Sequence, residues 1–202
     1  MRLIIASNNA HKVREIKEIL GGFFTDIRTL REAGIDIDVV EDGDTFEANA
    51  LKKATEILAV CSDADAALSD DSGLMVDALG GAPGIYSARY AGEGHDDVAN
   101  NAKLLADMAN VADDARGCRF VSAVALARRG KEPLVVRGEA VGRLLRAPRG
   151  QGGFGYDPLF FYPPLGKAFG ELGAEEKNGV SHRKRALEAL YAALAGEEET
   201  QQ

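Results

Sequence analysis

The sequence predicts an α/β fold built on a mixed sheet, and two patterns carry this prediction. Residues 3–6 form a short apolar run that is typical of a strand covered on both faces, and a helical pattern follows almost at once. Two later strand-like runs are joined at Arg129-Gly130-Lys131, which is the pattern of a hairpin turn. Because a hairpin pairs its strands antiparallel, at least part of the sheet should be antiparallel.

The first helices are predicted from the spacing of apolar residues and from their caps. Apolar residues recur at helical spacing over residues 13–20, and a glycine pair then ends the helix. A second helix is predicted to start at Asp44, which has the spacing of a capping box with Glu47, and to run to Cys61. Residues 66–68 then form a short strand that leads into an acidic pair.

The second half of the chain alternates loops, strands and helices. Residues 73–94 are rich in glycine and too broken for a helix, so we expect an ordered long loop that is itself a functional candidate. The remaining predicted elements are, in order, a helix capped at Asp96-Asp97, a strand over residues 120–126, a returning strand over residues 134–145, and a final helix that Gly196 ends.

The composition favours one globular domain, predicted over residues 1–196 and followed by an acidic tail over residues 197–202. Hydrophobic residues make up 46% of the chain and charged residues 28%. With 24 Lys and Arg against 32 Asp and Glu, the net charge of −8 repels polyanions and argues against extended nucleic-acid binding. A small anion such as a nucleotide can still bind, because a local cluster of cations overrides net charge at short range.

The cysteines and the apolar runs bear on the cellular compartment. Cys61 and Cys118 show neither a metal-binding spacing nor a disulfide framework, so both are predicted to be buried thiols. No apolar run approaches the roughly 20 residues of a membrane span, and the first one is too short for a signal-peptide core. We therefore expect a cytoplasmic protein with no membrane partner.

The acidic pair Asp70-Asp71 is the most informative feature of the chain. It follows an apolar run and precedes Ser72-Gly73, and buried carboxylates are costly unless cations or hydrogen-bond donors receive them. One interpretation is a metal or catalytic site, and the other is an Asx-turn that caps the next segment. Strand alternation should aim the two side chains in different directions, so that one binds Mg²⁺ or positions water while the other anchors the loop.

Two further polar segments can contribute to such a site. Residues 7–12 form the turn between the first strand and the first helix; the free N–H groups there and Lys12 can bind an anion, although taken alone the turn favours a simple helix cap. Glu41 follows a β-branched pair and is either a ligand of a hard cation or part of a surface turn. On the second helix, Asn49 and Lys53 lie four residues apart and share a face.

An aromatic loop and a basic cluster occupy the C-terminal part of the chain. Residues 150–158 pack glycines around Phe154 and Tyr156, which suits a backbone that lies close against a flat ligand. The basic cluster consists of Lys177, His182, Arg183, Lys184 and Arg185. Positive charge is unfavourable at a helix N-terminus unless an anion is near, so the cluster points to a ligand, the alternative being a solvated helix start. Acids, cations and a flat-ligand loop together indicate metal-assisted phosphoanhydride hydrolysis.

The motifs, taken in order, resemble those of the inosine/xanthosine triphosphate pyrophosphatase family over nearly the whole chain. The residues that carry the resemblance are Ser7-Asn8 with Lys12, Thr45-Phe46 with Asn49 and Lys53, Ser69-Asp70-Asp71-Ser72-Gly73-Leu74, Gly80-Gly81-Ala82-Pro83-Gly84, Ser87-Ala88-Arg89-Tyr90, Gly153-Phe154-Gly155-Tyr156-Asp157-Pro158, Glu176-Lys177 and Ser181-His182-Arg183. The resemblance implies a long mixed central sheet flanked by helices, two lobes with the active cleft between them, and a homodimer.

The resemblance also implies the reaction and the roles of residues. The expected reaction is hydrolysis of dITP, ITP or XTP to the nucleoside monophosphate and pyrophosphate, with Mg²⁺ as cofactor. Asp71 is then the catalytic carboxylate that activates water, and Asp71 and Glu41 hold the metal. The implied substrate-binding residues are Ser7, Asn8, Asn9, Ala10, His11, Lys12, Lys53 and Ser72 for the triphosphate, and Phe154, Gly155, Tyr156, Asp157, Lys177, His182 and Arg183 for the sugar and base.

Two alternative functions remain open from the sequence. The chain could be a related pyrophosphatase that acts on pyrimidine or modified nucleotides, although the segments around Phe154 and His182 fit the purine branch better. It could also be a sensor that binds nucleotides without turnover. A pure binder needs no water-activating acid, so the presence of Asp71 with Glu41 and Lys53 argues against a sensor.

Overall fold

The computed structural model describes the backbone of residues 1–200; the side chains at positions 10, 11, 198 and 200, and all of residues 201 and 202, lie outside the described residues. The described strands are β1 (Arg2–Ile5), β2 (Asp26–Thr29), β3 (Ala66–Val76), β4 (Gly117–Arg128), β5 (Lys131–Leu144), β6 (Phe160–Tyr162) and β7 (Lys167–Ala168). The described helices are α1 (Ala10–Leu20), α2 (Phe46–Val60), α3 (Asp97–Asp107), α4 (Ala174–Val180) and α5 (His182–Thr200). None of the helices in this described part is long and apolar enough to cross a membrane.

The seven strands form one mixed sheet in the order β2-β1-β3-β4-β5-β6-β7, which confirms the predicted α/β class. Strand β1 pairs parallel with β2 and with β3, where Leu3 lies opposite Ala66. Strands β4 and β5 are neighbours joined by two residues, so they form the predicted hairpin. Strand β6 pairs antiparallel with both β5 and β7.

The chain divides into two compact units, each with its own apolar core. The first unit comprises residues 1–71, 122–138 and 183 onward, and its core includes residues of β1, α1 and α5 such as Leu3, Ile16 and Leu190. The second unit comprises residues 72–121 and 139–182, and its core includes Leu104 and Phe160. Strands β3, β4 and β5 contribute residues to both units, while the predicted single domain over residues 1–196 stays a prediction.

The structure corrects the predicted start of helix α2 and the predicted end of strand β3. Helix α2 is capped by Thr45, whose hydroxyl accepts the amide of Ala48 at 3.0 Å, so the capping box at Asp44 is wrong. Thr45 has the extended backbone that a cap residue needs, with φ −138° and ψ 158°. Strand β3 does not stop at residue 68 but runs to Val76, because the apolar alternation resumes with buried Leu74 beyond the acids.

Two other predicted elements differ from the structure. The glycine-rich segment over residues 73–94 begins as the end of β3 and then forms two 3₁₀ segments, Asp77–Leu79 and Gly84–Arg89, so it is only partly a loop. Gly196 does not end the last helix, since α5 continues to Thr200, and Glu197 of the predicted solvated tail forms an ion pair with Arg128. Residues 201 and 202 of that tail lie outside the described residues.

Candidate active site

Asp70 and Asp71 lie next to each other on β3, and strand alternation sends their side chains to opposite faces, as predicted. The Asp70 side chain is only 3% exposed. Its Oδ2 accepts Arg183 Nε at 2.6 Å and lies 3.1 Å from Lys12 Nζ, while Oδ1 accepts the hydroxyl of Ser122 at 2.7 Å. Burial by itself would raise the pKa of Asp70, but the charges of Lys12 and Arg183 and the two hydrogen bonds hold that pKa well below its usual range.

Arg183 belongs to the basic cluster that the sequence assigned to a ligand, and the structure gives this residue two anions of the chain itself. Besides Asp70, its guanidinium lies 3.6 Å from the Glu15 carboxylate, and both side chains of this second pair are at least nine-tenths buried. Burial would lower the pKa of Arg183, but the two carboxylates outweigh it and raise the pKa. A positive charge in the first turn of α5 is therefore compensated internally.

The turn before α1 is both a helix cap and part of the Asp70 environment. The Lys12 amide donates to Asn9 Oδ1 at 3.3 Å and the Asn9 amide to Ser7 Oγ at 3.1 Å, which confirms the cap interpretation. Lys12 nevertheless does not point into solvent, because its Nζ donates to the backbone carbonyl of Asp70 at 3.3 Å. Asn8 Oδ1 accepts a backbone amide at 3.2 Å, and the side chains of the predicted ligands Ala10 and His11 lie outside the described residues.

Asp71 has a different environment from Asp70. Its Oδ2 accepts Asn49 Nδ2 at 3.1 Å, and Asn49 is fixed in turn because its Oδ1 accepts the amide of Gly43 at 2.8 Å. Burial is the main reason that the pKa of Asp71 rises to about 6, and the charges of Glu41 and Asp70 add to this against the Asn49 hydrogen bond. A carboxylate with a pKa near neutrality is suited to accept a proton from water.

Glu41 and Lys53, both predicted site residues, form a half-buried ion pair. Glu41 Oε1 lies 2.6 Å from Lys53 Nζ, and the two side chains are 29% and 27% exposed. Ser72, the remaining predicted phosphate ligand, is half-buried on β3 directly after Asp71. Glu41 thus contributes negative charge near Asp71, and Lys53 contributes a cation held by that charge.

In the second unit, the aromatic loop is organised around Asp157, which is 2% exposed. Asp157 Oδ2 accepts the Phe154 amide at 2.9 Å and Lys177 Nζ at 2.5 Å. Gly153 has a φ of +75°, and a Cβ there would collide with the Asp157 carboxylate, so this position requires glycine. Lys177 Nζ also lies 4.4 Å from the centre of the Phe154 ring, which is itself 49% exposed. The loop therefore presents one aromatic ring, against which the Lys177 ammonium of α4 lies.

Two other predicted residues of the second unit, Tyr156 and His182, are buried, and Gly155 is half-buried. Tyr156 is 4% exposed and its hydroxyl donates to the Ser87 carbonyl at 2.8 Å. The His182 ring stacks on Phe120, with 5.0 Å between ring centres and 14° between the ring planes.

The sequence analysis missed two residues of the first unit, Ser122 as a partner of Asp70 and Glu15 as a partner of Arg183. The lone serine in the apolar run of β4 was a usable signal. Glu15 had none, because it resembles the other acids on the polar face of α1.

Comparison with known proteins gives similarity over nearly the full chain. The sequence profile of the Ham1 family matches residues 3–193. The dITP/XTP pyrophosphatase of Clostridium perfringens is 53% identical over 199 residues, which cover 96% of this chain and 98% of that protein. The solved structure of the Staphylococcus aureus Ham1 protein has a TM-score of 0.90 at 39% identity, and the match covers 98% of this chain and all of that one (100%). A Ham1 protein from Coxiella burnetii has a TM-score of 0.87 at 36% identity, with 97% and 99% covered.

Proposed function

Because this chain belongs to the Ham1 family, we propose that it is a nucleoside triphosphate pyrophosphatase that hydrolyses the non-canonical purine nucleotides dITP, ITP and XTP to the monophosphate and pyrophosphate. The observation that carries this proposal is the contrast within the acidic pair. Asp70 is neutralised by two cations and a hydroxyl, whereas Asp71 accepts a hydrogen bond from the neutral amide of Asn49 and lies near the charge of Glu41. Such a division suits one structural and one reactive carboxylate.

Asp71 acts in this proposal as the base that takes a proton from the attacking water. The water oxygen forms a bond to the α-phosphorus, the bond from that phosphorus to the bridging oxygen breaks, and pyrophosphate leaves. Asn49 keeps the Asp71 carboxylate oriented through its 3.1 Å hydrogen bond. The contribution of a positioned base is typically about 10²- to 10⁴-fold in rate.

Mg²⁺ is the cofactor that the carboxylates of Asp71 and Glu41 fit. The charge of Glu41 raises the pKa of Asp71, so a dication near both would relieve the repulsion between them. No group of three acidic, histidine or cysteine side chains in the described part of the chain could hold a metal alone. The two carboxylates of Asp71 and Glu41 match the way Mg²⁺ binds, since this ion takes one or two carboxylates and completes its ligands with water and substrate phosphates. When bound, Mg²⁺ would neutralise the polyphosphate.

The triphosphate is assigned to residues 7–12, Lys53 and Ser72. Lys12 and Lys53 are each held by a carboxylate of the first unit, Asp70 and Glu41, so their charges are positioned before a ligand arrives. Preorganised cations contribute more to the binding free energy than mobile ones, because their side chains lose less conformational entropy when the ligand binds.

The purine and sugar are assigned to residues 154–157, Lys177, His182 and Arg183. A 6-oxo purine presents an acceptor at C6 and a donor at N1, the reverse of adenine, so donors facing the base would leave polar groups unpaired with ATP. Phe154 supplies an exposed ring for stacking. Arg183 is buried, its Nε donates to Asp70 and its Nη1 lies 3.6 Å from Glu15, so a contact of Arg183 with the base would use the Nη2 donors.

We also propose that the protein works in the cytoplasm as a homodimer, with the nucleotide as its small-molecule partner. The support for the compartment is the nature of the proposed substrate pool. The support for the dimer is the resemblance of the motifs alone, and size measurement by light scattering tests it.

The test of the proposed activity is the product released from ITP with Mg²⁺. Pyrophosphate and IMP are expected, with little turnover of ATP and GTP under the same conditions. Release of orthophosphate would contradict cleavage between the α- and β-phosphates. Binding of ITP without turnover would indicate a sensor, and faster turnover of pyrimidine or modified nucleotides would indicate the related pyrophosphatases. Omission of Mg²⁺, followed by its restoration, tests the cofactor separately.

A further inference from the structure

Helix α3 holds the backbone of Gly155 at both its polar groups. The Gly155 amide donates to Asp97 Oδ2 at 2.7 Å, and the Gly155 carbonyl accepts Asn101 Nδ2 at 2.8 Å. Asp97 and Asn101 lie one helical turn apart, so their side chains share a face of α3. Asn101 Nδ2 also donates to the Asp97 carbonyl at 2.8 Å, and these two carbonyl acceptors fix which end of the amide faces Gly155.

Gly155 is the residue between Phe154 and Tyr156, and its N–H belongs to the peptide group that follows the Phe154 Cα. Its φ of +59° is in the left-handed region, which glycine adopts without the penalty that a Cβ imposes. The Phe154 amide is held from the other side by Asp157. The peptide groups on both sides of the Phe154 Cα are therefore anchored, one by Asp157 and the other by Asp97, while Asn101 anchors the peptide group after Gly155.

We propose that Asp97 and Asn101 are positioning residues that hold the Phe154 ring in the orientation in which it stacks on the purine. This inference rests on the proposed function, since it gives α3 a role in purine binding. Neither side chain needs to touch the nucleotide, because both act through Gly155. The Gly155 N–H and C=O are already used by α3, so the base would be read by other groups of the loop.

Three variants separate the two contacts from general damage to α3. Asp97→Ala removes the acceptor of the Gly155 amide. Asn101→Asp replaces the amide donor by a carboxylate of nearly the same shape, so that a carboxylate oxygen faces the Gly155 carbonyl oxygen. Asp96→Ala is the matched control, because the Asp96 side chain caps the same helix by accepting the amides of Val98 and Ala99, while the contacts to Gly155 come from Asp97 and Asn101.

The first readout is hydrogen exchange of a peptide that covers residues 150–159, followed by mass spectrometry. Faster exchange is expected in Asp97→Ala and in Asn101→Asp, and exchange as in the wild type is expected in Asp96→Ala. Unchanged exchange in both loop variants would overturn the anchoring of Gly155. This readout does not depend on catalysis, so it tests the contacts even if ITP is not a substrate.

The second readout compares a ligand that has a purine with one that lacks it. We expect the KM for ITP to rise about tenfold in the two loop variants, as for the loss of one charge-assisted hydrogen bond. Inhibition by inorganic tripolyphosphate with Mg²⁺ should stay within about twofold of the wild type, and Asp97→Asn, which keeps an acceptor oxygen, should restore most of the KM. Equal losses for both ligands, or the same KM change in Asp96→Ala, would overturn the proposal. A wild-type protein without ITP turnover would instead contradict the proposed function.

Discussion

Arg183 and Asp70 lie 113 positions apart in the chain and form a buried ion pair, with Arg183 Nε 2.6 Å from Asp70 Oδ2. The pair joins the first turn of α5 to the middle of β3, and each side chain is no more than 5% exposed. Lys12 and Glu15 of α1 complete a set of alternating charges around it. This internal neutralisation explains how a carboxylate can be buried on β3, whereas the neighbouring Asp71 accepts a hydrogen bond from the neutral amide of Asn49.

Arg183→Ala should lower the free energy of unfolding by about 3–5 kcal/mol, the usual cost of leaving a buried charge without its partner. Asp70 would keep Lys12 and Ser122 but lose its shortest charged contact. Urea unfolding followed by circular dichroism measures the change. Arg185→Ala, in the same turn of α5 but exposed, should change stability by less than about 0.5 kcal/mol. Equal effects of the two variants would contradict a structural role for the Arg183–Asp70 pair.

The fold could be predicted where local sequence patterns agree with one another, and not where a strand forms only by pairing with residues far away in the chain. The first strand and helix, the hairpin at Gly130 and the cap at Asp96 follow from short-range chemistry, and the structure confirms them. Strand β1 is as short as β2 but wholly apolar beyond Arg2, whereas two of the four residues of β2 are charged and all four are only half-buried, so β2 escaped prediction. Strands β6 and β7 have at most three residues each, too few for a periodic pattern, and they form by pairing with neighbours. The end of β3 was misplaced because two acids interrupt an apolar run, although strand alternation continues through them.

The site was predictable in its residue types but not in its partners. Adjacent acids after an apolar run indicated a functional pair, and the structure gives them contrasting environments. The identity of the anion facing Arg183 could not be predicted, because Asp70 and Glu15 come near it only through tertiary packing. For the same reason, the hold of Asp97 and Asn101 on Gly155 has no sequence signal, since it joins residues at least 54 positions apart.

Asp71→Asn should still bind ITP but turn it over at least ~100-fold more slowly, because the variant lacks the group that takes a proton from water. Continuous pyrophosphate detection measures the rate, and calorimetric titration of ITP measures binding. Asp42→Asn is a suitable control, because Asp42 is an exposed acid next to Glu41 that pairs with Lys52 at the surface. Turnover by Asp71→Asn at the wild-type rate would remove Asp71 from the mechanism.

Asp71 should also make the metal-free protein less stable as the pH rises. The pKa of Asp71 is about 6 in the fold and 3.8 for the free group, so the folded state binds the proton more tightly. The resulting stabilisation is complete below pH 4 and is lost as the pH rises through 6. Asp71→Asn should therefore gain about 1–3 kcal/mol relative to the wild type between pH 4 and pH 8 without metal.

Urea unfolding at several pH values in EDTA measures this gain, and Asp44→Asn, at an exposed acid, serves as its control. Added Mg²⁺ should stabilise the wild type at pH 8 more than it stabilises Asp71→Asn, because only the wild type offers the Asp71 carboxylate. A stability difference that does not change with pH would show that the raised pKa has no energetic consequence.

Phe154→Ala should raise the KM for ITP about 10- to 100-fold, since stacking of a base on an aromatic ring contributes about 1–3 kcal/mol. The ring is 49% exposed and lies against the Lys177 ammonium, so its removal takes away a binding surface rather than a core contact. Stability should accordingly change little, and steady-state kinetics with ITP measure the effect.

Phe154→Tyr keeps the ring and is the matched control for stacking, with a KM expected within about threefold of the wild type. Phe154→Ala should leave the inhibition by tripolyphosphate with Mg²⁺ unchanged, because that ligand has no base to stack. If Phe154→Ala instead weakened the binding of tripolyphosphate as much as the binding of ITP, the ring would act by supporting Lys177 and the loop, and the purine would have to be bound elsewhere.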